Sequence, residues 1–186
     1  MTLGRELGPL EWLAGTWEGD EGVDVAYGHA IGGLTETPYR ERMTFAPFGP
    51  VGNGTQELYG LDYRTSAWRG GEDDPFHTEV GYWLWDGGAG QVMRCFMVPR
   101  GSTILAGGPA QATDRSITMH AELGSPTYGI LSNPYLHESA RTTLYRVTIG
   151  VDDAGVLRYE QETTIEHARW HETLAHTDRN VLRRVD

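Results

Sequence analysis

The chain has 186 residues with 15 basic and 26 acidic side chains, which gives a formal net charge of −11. This length suits one domain, 1–186, with a substantial core. The acidic balance disfavours binding to nucleic acid or to an anionic membrane, because both need a basic surface. A single cysteine, Cys95, excludes an internal disulfide and a multi-cysteine zinc site. The first ten residues lack the apolar core of a signal peptide, so we expect a cytoplasmic protein.

The N-terminal region predicts a short helical segment followed by a sharply bent strand. Leu7–Ala14 is amphipathic and predicts a short helix or 3₁₀ turn, and the sequence Gly-Thr-Trp-Glu-Gly follows it directly. The indole of Trp17 can plug the bottom of a small β-barrel, while Gly15 and Gly19 let the first strand bend around it. Small barrels of this kind usually enclose a ligand. The motif therefore favours a carrier or cofactor cup over an enzyme with a surface cleft.

The rest of the chain consists of short segments with period-two alternation, separated by clusters of Gly, Pro, Asn and Asp. This pattern is typical of an all-β antiparallel barrel or sandwich. Asp20–Pro38 and Gly124–Ser139 are too long for tight turns and are predicted as loops, either ligand-gating lids or plain surface excursions. The ten predicted strands are Gly15–Gly19, Tyr39–Ala46, Thr55–Tyr63, Phe76–Trp85, Gln91–Val98, Thr103–Gly107, Arg115–Glu122, Thr142–Val151, Val156–Thr164 and Thr173–Val185.

Aromatic and methionine side chains recur on shared faces of three predicted strands. Strand alternation places Met43 and Phe45 on the same face of one strand. On two later strands, Tyr82 and Met97 are the residues that we expect to face the same interior. These four side chains could line a flat apolar slot for a ligand. They could equally be ordinary barrel filling.

The last predicted strand carries the polar residues that bear most on function. If His176 points inward, period two sends Asp178 and Asn180 inward as well. A buried carboxylate needs a partner, and Arg100 is one candidate, so the two could act as polar anchors in a wet cavity. Asp178 could alternatively orient a neighbouring imidazole. Upstream, the pair His167 and His171 could bind a metal if it were helical, although the polar sequence around it favours a turn.

Several separated motifs together resemble the nitrobindin family of haem-binding β-barrels, which are related in shape to lipocalins and fatty-acid-binding proteins. The resemblance covers nearly the whole chain. It implies an antiparallel barrel of about ten strands with a short helical plug. It also implies haem b bound at one open end and chemistry on nitric oxide or peroxynitrite. The motifs are Gly15-Thr16-Trp17-Glu18-Gly19, Tyr39-Arg40-Glu41, Tyr63, His77-x-Glu79-x-Gly81-Tyr82-Trp83 and His176.

The resemblance also assigns roles to individual residues. His176 matches the histidine that ligates the haem iron, and His77 matches a histidine near the pocket. Two arginines, Arg183 and Arg184, lie near the chain end, and of these Arg183 is expected to pack over Trp17 as a cation–π contact. Two departures stand out. Glu21 occupies the place of the third glycine of the first motif, and the usual Pro-His-Leu context is replaced by Ala175-His176-Thr177.

Two functions follow as hypotheses. The first is a ferric-haem protein that binds nitric oxide or isomerises peroxynitrite to nitrate. The second is a haem-free carrier of a fatty acid or another small amphipathic ligand. An inward His176 facing an open apolar slot favours haem, whereas a closed, hydrogen-bonded His176 beside Asp178 favours the carrier. A homodimer through an exposed strand edge stays open.

Overall fold

A computed structural model describes residues 4–28, 31–168 and 172–186 of the chain. Within these residues, eleven strands form a closed barrel, because β1 pairs with β2 on one side and with β11 on the other. The predicted all-β barrel is confirmed, with one strand more than expected. The strands are β1 Gly15–Gly28, β2 Gly33–Asn53, β3 Gln56–Arg69, β4 His77–Asp86, β5 Gln91–Val98, β6 Ser102–Pro109, β7 Ser116–Leu123, β8 Gly129–Ser132, β9 Ala140–Val151, β10 Leu157–His167 and β11 Glu172–Arg184.

Most of the segment Asp20–Pro38, predicted as a loop, instead belongs to strands β1 and β2 of a hairpin. A bulge between Gly19 and Gly22 accommodates the extra residue that displaced the third glycine of the motif. At both positions only glycine fits, because a side chain would collide with neighbouring atoms. A Cβ at Gly19 would lie 2.2 Å from the carbonyl oxygen of Val181, and one at Gly22 would lie 2.6 Å from the ring of Tyr39. The glycines of the bulge make this part of the strand resemble a loop in composition, which explains the incorrect prediction.

The second predicted loop, Gly124–Ser139, contains the short strand β8 and a helix, α1, at Pro134–Ser139. The side chain of Asn133 caps α1 by accepting a hydrogen bond from the backbone N–H of Leu136 at 3.0 Å. In the described parts of the chain, no helix has the length and apolar character needed to cross a membrane.

A 3₁₀ segment at Arg5–Leu13 closes one end of the barrel, as the N-terminal pattern predicted. Leu7, Leu10 and Leu13 are fully buried there. Trp17 is 1% exposed, and its indole N–H donates to the carbonyl of Leu13 at 2.8 Å. The 3₁₀ segment and the indole thus form one apolar plug.

The arginine that packs over Trp17 is Arg184, and the prediction for Arg183 is wrong. The guanidinium carbon of Arg184 lies 4.7 Å from the centre of the indole, and β1–β11 pairing places Arg184 directly opposite Trp17. Arg184 also donates to the carbonyls of Trp12 and Ala14. Arg183 points to the other face of the strand and pairs with Glu21 at 3.4 Å.

Candidate functional site

The barrel encloses a cavity of about 740 Å³, a size within the range of about 300–1,000 Å³ typical of small-molecule sites. The exposed residues Arg100 and Tyr135 line it at one end, which we call the open end. The leucines of the plug do not contribute to its lining. The cavity therefore occupies the part of the barrel away from the plug.

An ion pair is buried in the cavity wall, between Arg94 of β5 and Glu79 of β4. Arg94 Nη2 lies 2.5 Å from Glu79 Oε2, and the two side chains are only 5% and 4% exposed. Burial alone would raise the pKa of Glu79, but the charge of Arg94 and the hydrogen bond from His77 outweigh it and lower the pKa to about 2. Tyr63 also donates to Glu79 at 2.8 Å. Glu79 is therefore ionised and balanced by Arg94.

Hydrogen bonds continue from this pair across the cavity to β11. Arg94 donates to the hydroxyl of Tyr145, and Tyr145 donates to Gln161 Oε1 at 3.0 Å. The amide of Gln161 donates in turn to Asp178 Oδ2 at 3.1 Å. One polar chain thus links Arg94 on β5 with Asp178 on β11.

This chain ends in a group that we call the His176 cluster, formed by His176, Asp24 and Asp178. His176 Nε2 lies 2.5 Å from Asp24 Oδ1 and 3.6 Å from Asp178 Oδ2. The two aspartates stand directly opposite each other in the β1–β11 pairing. Burial alone would lower the pKa of His176, but the hydrogen bonds and charges of Asp178 and Asp24 outweigh it and raise the pKa to about 10. At neutral pH an imidazolium therefore sits between two carboxylates.

Among the described residues, a further buried carboxyl, Glu41, accepts hydrogen bonds from neutral groups only. It accepts hydrogen bonds from Thr65 at 2.9 Å, Tyr159 at 2.8 Å and Asn180 at 3.0 Å. Burial raises the pKa of Glu41 despite these three donors. Glu41 and Glu79 line the same cavity, yet their pKa values move in opposite directions.

The structure brings some of the predicted site residues to the cavity. His176, Asp178, His77, Met43 and Arg100 all line it. His77 Nε2 lies 3.0 Å from Glu79 Oε1, so its ring belongs to the polar wall. Arg100 is exposed at the open end, and the hydrogen-bond partner of Asp178 is Gln161.

Three predicted lining residues lie elsewhere. Tyr82 and Met97 are 50% and 52% exposed on the outer face of the barrel, because Trp83 on β4 and Phe96 on β5 occupy the inward positions instead. Phe45 is buried in the apolar core, where it stacks on Tyr63 at 5.2 Å between ring centres. Placing Tyr82 and Met97 in a slot was therefore wrong, because the choice of inward face was shifted by one residue.

Two residues that organise the site, Arg94 and Asp24, were not predicted from the sequence. A charged residue between the buried Val92 and Phe96 was the available signal for Arg94, since a charge at an inward position needs a partner. Asp24 gave no such signal, because its strand was predicted as a loop. His167 lines the cavity, but its candidate metal partner His171 lies outside the described residues.

Comparison with known proteins identifies the family. Residues 6–184 match the family described as "THAP4-like, heme-binding beta-barrel domain". The chain belongs to this family. Among solved structures, the crystal structure of Rv2717c from M. tuberculosis superposes on this haem-binding-family barrel with a TM-score of 0.68, at 21% identity over 97% of this chain and 98% of that one. That similarity shows a shared fold.

Two curated relatives match part of the chain. Both are named peroxynitrite isomerase; one is from Clavibacter michiganensis subsp. michiganensis (strain NCPPB 382), at 37% identity, and the other from Clavibacter sepedonicus, at 39%. Each match spans 83 residues, which is 44% of this chain and 36% of the relative. The matched region is thus about a third of each relative's length.

The family implies haem, so we asked whether the cavity histidines suit an iron atom. A haem ligand must be a neutral imidazole with a free nitrogen. His176 Nε2 is held between two carboxylates, and His77 Nε2 is held by Glu79. In this arrangement neither Nε2 atom is free to ligate iron. His176 is closed and hydrogen-bonded beside Asp178, the arrangement that the sequence analysis associates with a carrier.

Proposed function

We propose that this chain is a small-molecule carrier, and that its cavity holds an amphipathic ligand without iron ligated by His176. The observation that carries the proposal is the closed His176 cluster in the wall of a cavity of about 740 Å³. The cavity has the size of a ligand site, and Nε2 of His176 contacts the carboxylates of Asp24 and Asp178.

The cavity wall suits a ligand with two kinds of surface. Its apolar portion would bury a hydrocarbon part of the ligand, at about 0.8 kcal/mol for each CH₂ removed from water. Its polar portion runs from the Arg94–Glu79 pair to the His176 cluster and would hold a polar group. The apolar lining residues include Met43, Phe96, Ile104, Val147, Ile149 and Ile165.

Titration with Nile red, a neutral amphipathic dye that fluoresces in apolar surroundings, tests whether the cavity takes a ligand. Ala67→Phe adds a ring where the buried Ala67 lines the cavity, and we expect it to weaken binding at least tenfold. Ser66→Phe adds the same ring at the adjacent position outside the cavity lining and should bind like the wild type. No saturable binding, or equal binding by both variants, would contradict the proposal.

Ferric haem is the second candidate, and the family favours it together with the position of His176 in the cavity wall. Bound haem would supply iron chemistry on a reactive nitrogen species, namely binding of nitric oxide or isomerisation of peroxynitrite. This candidate requires His176 to lose a proton and to leave Asp24. A haem absorption titration of the wild type beside His176→Ala separates it from the carrier.

A further inference from the structure

Two hydrogen-bond donors in the cavity wall have no acceptor. Among the described residues, the indole Nε1 of Trp83 and the guanidinium Nε of Arg94 are the two buried side-chain polar atoms without a hydrogen-bond partner. Trp83 is 1% exposed and Arg94 is 4% exposed, and both residues line the cavity. Buried donors without an acceptor are rare in native proteins because they lose their bonds to water.

The two unpartnered donors belong to neighbouring residues. Trp83 of β4 stands directly opposite Arg94 of β5 in the sheet. The guanidinium carbon of Arg94 lies 5.2 Å from the centre of the indole. Two neighbouring residues of the cavity wall therefore each carry one N–H group without an acceptor.

The charges around this patch restrict which group can bind. Trp83 and Arg94 offer donors, so an alkylammonium group, which carries only donors, cannot satisfy them. The charge of Arg94 is already balanced by Glu79 at 2.5 Å, with Glu41 in the same cavity. A carboxylate would add negative charge to a neutral pair, whereas a carbonyl oxygen accepts hydrogen bonds without adding charge.

We infer that Trp83 and Arg94 form an acceptor site, and that the ligand of this barrel carries a neutral carbonyl oxygen that binds there. Ketones, esters and amides belong to this class. The inference rests on the proposed carrier function, since it names the polar group of the ligand that the cavity would hold.

Three probes of equal chain length separate the ligand classes: nonan-2-one, nonanoate and nonylamine. In ¹⁵N-labelled protein, nonan-2-one should move the indole N–H resonance of Trp83 downfield and leave that of Trp68 in place, because Trp68 Nε1 already donates to the carbonyl of Asp73. The ketone should also bind more tightly than the carboxylate and the amine. Trp83→Phe assigns the resonance.

The same variant measures the contribution of the indole donor. Trp83→Phe keeps an aromatic ring and should weaken nonan-2-one binding about tenfold. Trp68→Phe is the matched control and should leave the affinity unchanged. The wild-type resonance shift is read independently, so poor folding of Trp83→Phe would not remove the test.

The outcomes separate this inference from the proposed function. If Nile red binds but nonan-2-one leaves the Trp83 resonance in place, or nonanoate or nonylamine binds more tightly, the acceptor site is wrong and the carrier stands. The acceptor site is equally wrong if Nile red binds and none of the three probes does. If Nile red fails to bind, the carrier function itself is wrong.

Discussion

The two ends of the barrel interior are built from opposite chemistry. The plug end packs three fully buried leucines around Trp17. The cavity end buries the Arg94–Glu79 pair and also contains the partly buried His176 cluster. Burial of apolar surface stabilises a fold directly, whereas a buried ion pair often contributes no more than a well-packed apolar replacement. The comparison indicates that the plug stabilises the barrel more directly than the polar groups of the cavity, to which the proposed function assigns the ligand.

The largest effect should come from breaking the buried ion pair. Glu79→Gln leaves the Arg94 charge uncompensated and should lower the free energy of unfolding by about 3–5 kcal/mol, measured by urea denaturation at neutral pH. The control is Glu41→Gln, which removes a carboxyl whose pKa is raised and whose partners are neutral donors. It should cost less than about 1.5 kcal/mol. An equal loss in both variants would show that the cation partner of Glu79 is irrelevant.

The pH dependence of Glu79→Gln follows from the sign of the shift. The pKa of Glu79 falls from 4.5 to about 2 on folding, so its ionised form is the one that stabilises the native state. This contribution is complete above pH 4.5 and is lost as the pH falls through 2. The stability difference between wild type and variant should therefore shrink across that window.

A smaller effect is expected at the His176 cluster. Asp24→Asn removes one of the two carboxylates that hold the imidazolium, so the pKa of His176 should fall from about 10 toward 6.5, as read by NMR titration of its ring. Because the His176 side chain is 33% exposed, solvent screening limits the stability loss to about 1 kcal/mol.

The sign of this effect is opposite to that of Glu79. The folded-state pKa of His176 is raised, so its contribution is complete below pH 6.5 and is lost as the pH rises through 10. The stability difference between wild type and Asp24→Asn should therefore disappear at alkaline pH. Asp62→Asn, at an exposed position on β3, is the control and should show no such dependence. A difference that persists above pH 10 would assign the loss to packing.

The smallest predicted difference between a variant and its control lies at the rim of the plug. Arg184→Met removes the cation–π contact with Trp17 and two hydrogen bonds to backbone carbonyls, and it should cost about 1 kcal/mol. Arg183→Met removes an exposed ion pair and should cost less than about 0.5 kcal/mol. Thermal unfolding of the two variants provides the comparison. A larger loss for Arg183→Met would restore the arrangement predicted from the sequence.

The plug could be predicted from the sequence because its contacts are local. Trp17 donates to Leu13, four residues away, and the glycines beside it mark the bent strand and its bulge. On β11, period two correctly sends Asn180 inward with His176, because its pairing with β10 has no bulge to change the parity.

The cavity could be predicted only in part because its contacts are distant in sequence. Asp24 and His176 are 152 residues apart, and no local pattern records their contact. The prediction that Tyr82 and Met97 line the slot was wrong for a different reason. Apolar side chains occupy both faces of β4, so hydrophobicity alone could not choose between Tyr82 outside and Trp83 inside.

An absorption titration with ferric haem tests the central claim most directly. The samples are wild type, His176→Ala and the double variant Asp24→Asn/Asp178→Asn, which releases the His176 nitrogen. If the protein is a carrier, the wild type should show no Soret band that both saturates at one equivalent of haem and depends on His176. A band seen only in the double variant would show that the two carboxylates prevent His176 from binding iron. A saturating wild-type band that is lost in His176→Ala would contradict the account and place His176 on iron.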